Sequence, residues 1–309
     1  MKEAVRLAPA FKDYLWGGTK LKTEFNKKSG LDKVAESWEL STHPDGCSTV
    51  VSGEFAGMSL PEYLSRTGSA GRKAENFEFF PILIKFIDAK DNLSIQVHPS
   101  DEYALKNENS FGKTEMWYIL SCEENAFLYY GFSRCITKEE YRERIENNTI
   151  TEVLNKVYVK KGDVFFIPSG TVHAIGKGIV ICEIQQNSNL TYRVYDYDRR
   201  GKDGKPRELH IEKAIEVSEL KPAEPCESKE ENVLASCSYF TAEKHNVSGE
   251  ITLCCDPECF RSIIVTEGSG SLTLGGASLS LVKGDSIFIP AQEGSFTVSG
   301  SCEIIMSYV

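Results

Sequence analysis

The chain has 309 residues, 41% hydrophobic and 26% charged, a balance that permits a large core and more than one domain. Its formal net charge of -10 argues against non-specific nucleic-acid binding, which needs a basic surface, but leaves room for a small anion held by a few local Lys and Arg residues. No run approaches the roughly 20 apolar residues of a membrane span, the first residues lack the apolar core of a signal peptide, and the ten cysteines form no C-x-x-C pair, so free thiols and a cytoplasmic location are expected.

In chain order, residues 58–64 read as a short helix starting at Ser59, with Pro61 in its first turn. Strand-like runs at 80–87, 117–120, 126–130, 164–167 and 179–184 are set off by turn residues. A second helix is expected over 138–157, where Tyr141, Ile145, Ile150 and Leu154 recur among charges and 147–149 is a weak point. Residues 222–232 (PAEPCESKEEN) are polar, charged and carry two prolines, as a linker does. The expected division is therefore a domain over 1–221, a linker over 222–232 and a β-rich domain over 233–309.

The octapeptide Lys161–Pro168 (KGDVFFIP) returns 122 residues later as KGDSIFIP, with six identities in eight. In each copy KGD reads as a tight turn and the rest as a strand ending at proline. Five residues past the first proline stands His173; the matching residue of the second copy is Ser295. Phe260 falls roughly where Glu115 would align. The second copy is therefore expected to hold no metal.

The pair Gln96 and His98 closes a strand-like run, and residues two apart on an extended chain share a face. Glu115 opens the next run, after Gly112-Lys113-Thr114, and His173 comes from a third segment. Two imidazoles, a carboxylate and an amide oxygen would bind a divalent cation with positions left for water or substrate, which is the catalytic pattern. These ligand types alone do not choose among zinc, iron and manganese. Glu183, on the run at 179–184 and ten residues past His173, is a candidate proton carrier if it faces inward.

The unit GD-strand-P-x4-H resembles the second conserved motif of cupins, which implies a mainly β chain of two cupin-type jelly-roll β-barrels, with a few helices in or beside the first. From Tyr14 to about Ile215 the sequence resembles type I mannose-6-phosphate isomerases of the short bacterial form. The segments YLWGG (14–18), ESWELSTHP (36–44), 93–99, 112–117, 168–174 and 189–198 carry that likeness in order. The resemblance implies one Zn2+ per chain held by Gln96, His98, Glu115 and His173, and a catalytic Arg193. It also implies phosphate contacts at Ser94 and at Arg199, where longer members have a lysine, and a substrate contact, with a part in catalysis, at Lys113. Trp16 would wall the pocket. The implied reaction interconverts mannose 6-phosphate and fructose 6-phosphate. The implied partner is a small hexose phosphate, with no nucleic acid and no membrane, in a monomer or weak homo-oligomer. A cupin oxygenase using iron at the same ligands, and a non-catalytic sugar-phosphate-binding cupin, are the alternatives.

Overall fold

The computed structural model describes residues 2–201, 204–224 and 230–309, and among these the chain is mainly β, with strands of up to 14 residues and a few short helices. It divides into two compact units: Met1–Lys12, Thr19–Phe86 and Glu227–Val309 form one, Asp13–Gly18 and Ile87–Cys226 the other. The expected boundary at 221 is thus only part of the division, because most of the first 86 residues group with the C-terminal segment. Strand pairing is the reason. Val5–Ala8 pairs antiparallel with Ser286–Ile289 on one side and with Thr49–Val50 on the other. Pro222 bridges to Gly131 and so belongs to the second unit, whereas 225–229 of the expected linker lie outside the described residues.

In the first unit three strands of 14 residues, Thr241–Cys254, Arg261–Leu274 and Ser295–Tyr308, form an antiparallel sheet. Their inward residues, including Ile263, Val265, Leu272, Val298 and Ile304, make one apolar core. In the same unit Lys27 Nζ lies 2.6 Å from Glu39 Oε2, both side chains being buried.

The second unit faces a five-stranded sheet toward strands of another. The five run in the order Tyr192–Tyr195, Ile95–Val97, His173–Ala174, Phe127–Phe132, Leu154–Tyr158. Opposite them, Glu115–Cys122 pairs with Val164–Ile167 and with Ile179–Gln186. The helix expected over 138–157 is shorter: Lys138–Glu146 is helical, Ile150–Glu152 is one tight turn and Leu154–Tyr158 is a strand. Thr137 caps its start by accepting from Glu140 N–H, and the weak point ends it, with Asn148 in the left-handed region at φ 56°. The helix expected at 58–64 is Leu60–Thr67, with Ser59 as N-cap residue and left-handed Gly68 after it.

The repeated octapeptide is repeated in space. Gly162 and Gly284 have φ of 92° and 94°, a conformation that only glycine takes freely. Asp163 Oδ2 accepts from Lys160 N–H and Asp285 Oδ2 from Val282 N–H, each at 2.8 Å. Ile119 N–H donates to Asp163 O and Val265 N–H to Asp285 O, each at 2.9 Å. With Ile119 and Val265 as the common reference, Glu115, paired with Ile167, corresponds to Arg261, paired with Ile289. The residue at the Glu115 position is therefore Arg261 rather than Phe260, whose ring stacks on Phe288 at 5.3 Å. Ser295 is exposed at the start of its strand, unlike buried His173.

Candidate metal centre

Register brings the site together. His173 pairs with Gln96 on one side of the Ile95–Val97 strand, and Arg193 pairs with Gln96 on the other. Directly paired residues present their side chains to the same face, so His173, Gln96 and Arg193 form one row. Alternation sends Ile95, Val97, Ala174 and Val194 to the opposite face, where they join an apolar core with Phe132 and Tyr141. That core is what fixes the row, because a slip of one residue would turn these apolar groups into the site.

Glu115 reaches the row from the other sheet. His98 Nε2 lies 3.6 Å from Glu115 Oε2, and His173 Nε2 lies 3.4 Å from Glu115 Oε1. All three residues are buried, and their ligand atoms lie within 4.8 Å of one another. The far nitrogens are tied down: His98 Nδ1 lies 2.9 Å from Leu190 O and His173 Nδ1 lies 2.8 Å from Thr171 O. A carbonyl only accepts, so each Nδ1 carries a proton and each Nε2, facing Glu115, is the nitrogen placed to ligate. Burial pushes the His173 imidazole down to about 4, against a partial opposing pull from its Thr171 bond, so it is neutral and basic at Nε2 near neutral pH. The donor set therefore fits a divalent cation. Gln96 Nε2 lies 3.4 Å from His173 Nε2. An amide ligates through oxygen, so its place in the set requires the reverse orientation of the carboxamide.

Buried charge surrounds the ligands. Lys113 Nζ is 2.8 Å from Glu115 Oε2 and 3.8 Å from Glu183 Oε1. Trp117 Nε1 donates to Glu183 Oε2 at 3.0 Å, and its ring meets His173 edge-on at 5.3 Å. Glu183 does face inward, as its pairing opposite Trp117 requires. Arg193 has its backbone held on both sides by His210, its N–H donating to Nδ1 at 3.1 Å and its carbonyl accepting at 2.8 Å. Its Nη1 donates to Glu208 O at 2.8 Å, while buried Nε meets no acceptor among the described residues. Burial and the charges of Arg207 and Arg199 lower its proton affinity from the usual arginine value, which still leaves it charged at neutral pH.

The other expected contacts fare differently. Ser94 is buried two residues before Gln96. Arg199 is heavily committed: Nη1 donates to Asn92 O at 2.5 Å, and Nε and Nη2 donate to Asp196 O and Oδ1 at 3.2 and 2.5 Å. Trp16 is buried, its carbonyl accepting from Asp91 N–H at 3.1 Å and its ring 5.5 Å from Tyr14, which is the setting of a packed turn. Sequence reasoning missed Arg207, which forks onto Asp196 Oδ2 and Oδ1 at 2.7 and 2.5 Å. It also missed Gln185, paired with Glu115. The only signal for Gln185 was two glutamines ending an apolar strand.

Profiles of two families match the chain: the phosphomannose isomerase type I catalytic domain over residues 4–121, and the mannose-6-phosphate isomerase cupin domain over 229–309. The mannose-6-phosphate isomerase ManA of Bacillus subtilis is 40% identical, covering 99% of each chain. The mannose-6-phosphate isomerase of Streptococcus mutans is 39% identical over 100% of this chain and 99% of its own. The crystal structure of the Bacillus subtilis mannose 6-phosphate isomerase superposes with a TM-score of 0.91 over the whole of both chains, at 36% identity. The chain belongs to the type I mannose-6-phosphate isomerase (phosphomannose isomerase) family.

Proposed function

We propose that the protein interconverts mannose 6-phosphate and fructose 6-phosphate, with one Zn2+ per chain held by Gln96, His98, Glu115 and His173. The observation that carries this reading is the pair of Nε2 atoms facing opposite oxygens of Glu115, each imidazole locked by a carbonyl behind it. A carboxylate between two imidazoles suits zinc, and the full-length likeness to mannose-6-phosphate isomerases supports the substrate.

Isomerisation moves a proton between C1 and C2 of the open-chain sugar through an enediolate. A cation held by Gln96, His98, Glu115 and His173 would supply Lewis-acid stabilisation of the negative charge that builds in the reaction. Arg193, in the same row as Gln96, adds a fixed positive charge. Glu183 is the proton carrier in this reading. One of its oxygens is occupied by the Trp117 N–H, which orients the carboxyl, and Lys113 beside the other stabilises its ionised form. The carrier must serve both carbons from one face of the sugar, and a carboxylate held on a strand does so without moving its backbone. Ser94, Lys113 and Arg199 hold the phosphate and sugar hydroxyls, so that remote binding keeps the reacting carbons in register. Trp16 contributes by bracing the segment at Asp91, and no direct sugar contact is assigned to it.

The nine described cysteines are free thiols, which accords with a cytoplasmic enzyme. Among the described residues no helix is long and apolar enough to cross a membrane. The test is metal analysis of the purified protein, paired with turnover of mannose 6-phosphate before and after chelation. Zinc near one per chain and chelator-sensitive formation of fructose 6-phosphate are expected. Full metal with no product, or activity that survives complete chelation, would overturn the reading.

A further inference from the structure

Among the buried polar groups that the chemistry leaves unused, Gln185 bears on the metal centre. It is fully buried, and its strand pairs it directly with Glu115. Its Nε2 lies 2.7 Å from both Gln186 O and Ser188 O, and two acceptors around one nitrogen fix which end of the carboxamide is which. The opposite end, Oε1, is buried and meets no donor among the described residues. The two carbonyls that Gln185 grips belong to the turn that runs on to Leu190. Ser188 completes that turn, its Oγ donating to Phe111 O at 2.9 Å and accepting from Leu190 N–H at 3.3 Å. Leu190 O then accepts the proton of His98 Nδ1.

A metal-binding imidazole points where the partner of its other nitrogen lets it point. That partner is here a backbone carbonyl, which cannot be aimed by a side chain of its own. Whatever fixes the 186–190 turn aims it. We infer that Gln185 is a positioning residue for the metal centre: by clamping this turn it sets the Leu190 carbonyl, and through it the direction of the His98 Nε2 lone pair. The inference rests on the ligand set proposed above.

Cobalt is the probe, because Co2+ suits the same donors and its visible bands report coordination geometry. Gln185→Met keeps the length and loses the donor; Gln185→Glu keeps the shape and puts an oxygen against two carbonyls. In both full-length variants the Kd for Co2+, measured by competition with a chelator, should rise roughly 10- to 100-fold. The visible bands should shift, and kcat at saturating metal should fall by less than the affinity does. A stabilising role alone would lower the melting temperature and leave the bands where they were. Wild-type cobalt affinity and bands in Gln185→Met would overturn the inference. Should neither variant fold, Ser188→Ala carries the test, since it cuts the same turn from Phe111 and Leu190; unchanged bands there would break the link to His98 and overturn it equally. Failure of the unsubstituted protein to take up cobalt would instead overturn the ligand set, and this inference with it.

Discussion

Glu115 and Arg261 occupy the same position in two copies of one strand-turn-strand unit, four residues before the residue that bonds the KGD turn. In one copy the carboxylate faces two imidazoles. In the other a guanidinium lies over the Tyr308 ring at 4.2 Å, with Nη2 3.5 Å from Asp256 Oδ2. A fixed cation in the place of a ligand repels a metal ion at short range. The expected content is therefore one metal per chain, lost in Glu115→Gln and His98→Ala after dialysis and unchanged in Arg261→Ala. Elemental analysis checks it, and a second equivalent in the wild type, retained in Glu115→Gln, would contradict it.

The His173 imidazole gives the metal-free protein a pH dependence with a definite sign. Its folded value, about 4, lies below the ordinary 6.5. Between these values the unfolded chain binds the proton and the folded chain does not, so stability rises with pH across this window. Going from pH 7 to pH 4, the chelated protein should lose on the order of 3 kcal/mol through this residue. Urea unfolding of chelated wild type and His173→Gln at pH 7.5 and 5 tests it. The wild type should lose the larger share, and equal losses would show that His173 is not the group responsible.

In the proposed mechanism Arg193 acts on charge that exists only in the transition state, so its removal should appear in kcat. Arg193→Ala should lower kcat by roughly 100- to 1,000-fold, the usual effect of losing one such stabilising group, with metal content unchanged. Steady-state kinetics on metal-replete enzyme measures this. A change confined to KM would move Arg193 from the reacting end of the sugar to its binding end.

The gathering of Gln96, His98 and His173 was legible in the sequence because it rests on two short-range rules: alternation, which puts Gln96 and His98 on one face, and the octapeptide repeat, which marks His173 as absent from the second copy. What was not legible depends on pairing between distant segments. The role of Val5–Ala8 in the C-terminal sheet leaves no local mark, so the units were drawn as consecutive stretches. Aligning Arg261 with Glu115 needs the strand register, because the spacing between strand and KGD turn differs between the copies. The Leu190 and Thr171 carbonyls behind the histidines are backbone groups, which any residue type supplies. The helix expected over 138–157 runs too far for a different reason: the poor helix formers at 147–149 read as a weak point, whereas they end the helix at Glu146.

Arg199 is tied twice, to Asp196 and to Asn92 O, and Asn92 lies two residues before Ser94. Asp196 thus links the turn after Tyr192–Tyr195 to the segment proposed to hold the phosphate, while Arg207 takes up both its oxygens. Burial alone would raise the Asp196 carboxyl, but hydrogen bonds and charge from Arg207 and Arg199 outweigh it and hold it below the usual aspartate value. A depressed folded value means that the stabilisation is complete above the unfolded value, about 3.9, and is lost only as pH falls through the folded one. Asp196→Asn should therefore be less stable than wild type at neutral pH, and the gap should close in strong acid. Because a hydrogen bond to a charged group contributes about 1.5–3 kcal/mol, both Asp196→Asn and Arg199→Ala should raise KM for mannose 6-phosphate roughly 10- to 100-fold, with kcat changing less. Kinetics at pH 7.5 and urea unfolding from pH 7 to 3 separate the two effects. A stability loss with KM untouched would mean that Asp196 braces the turn but that the phosphate is held elsewhere.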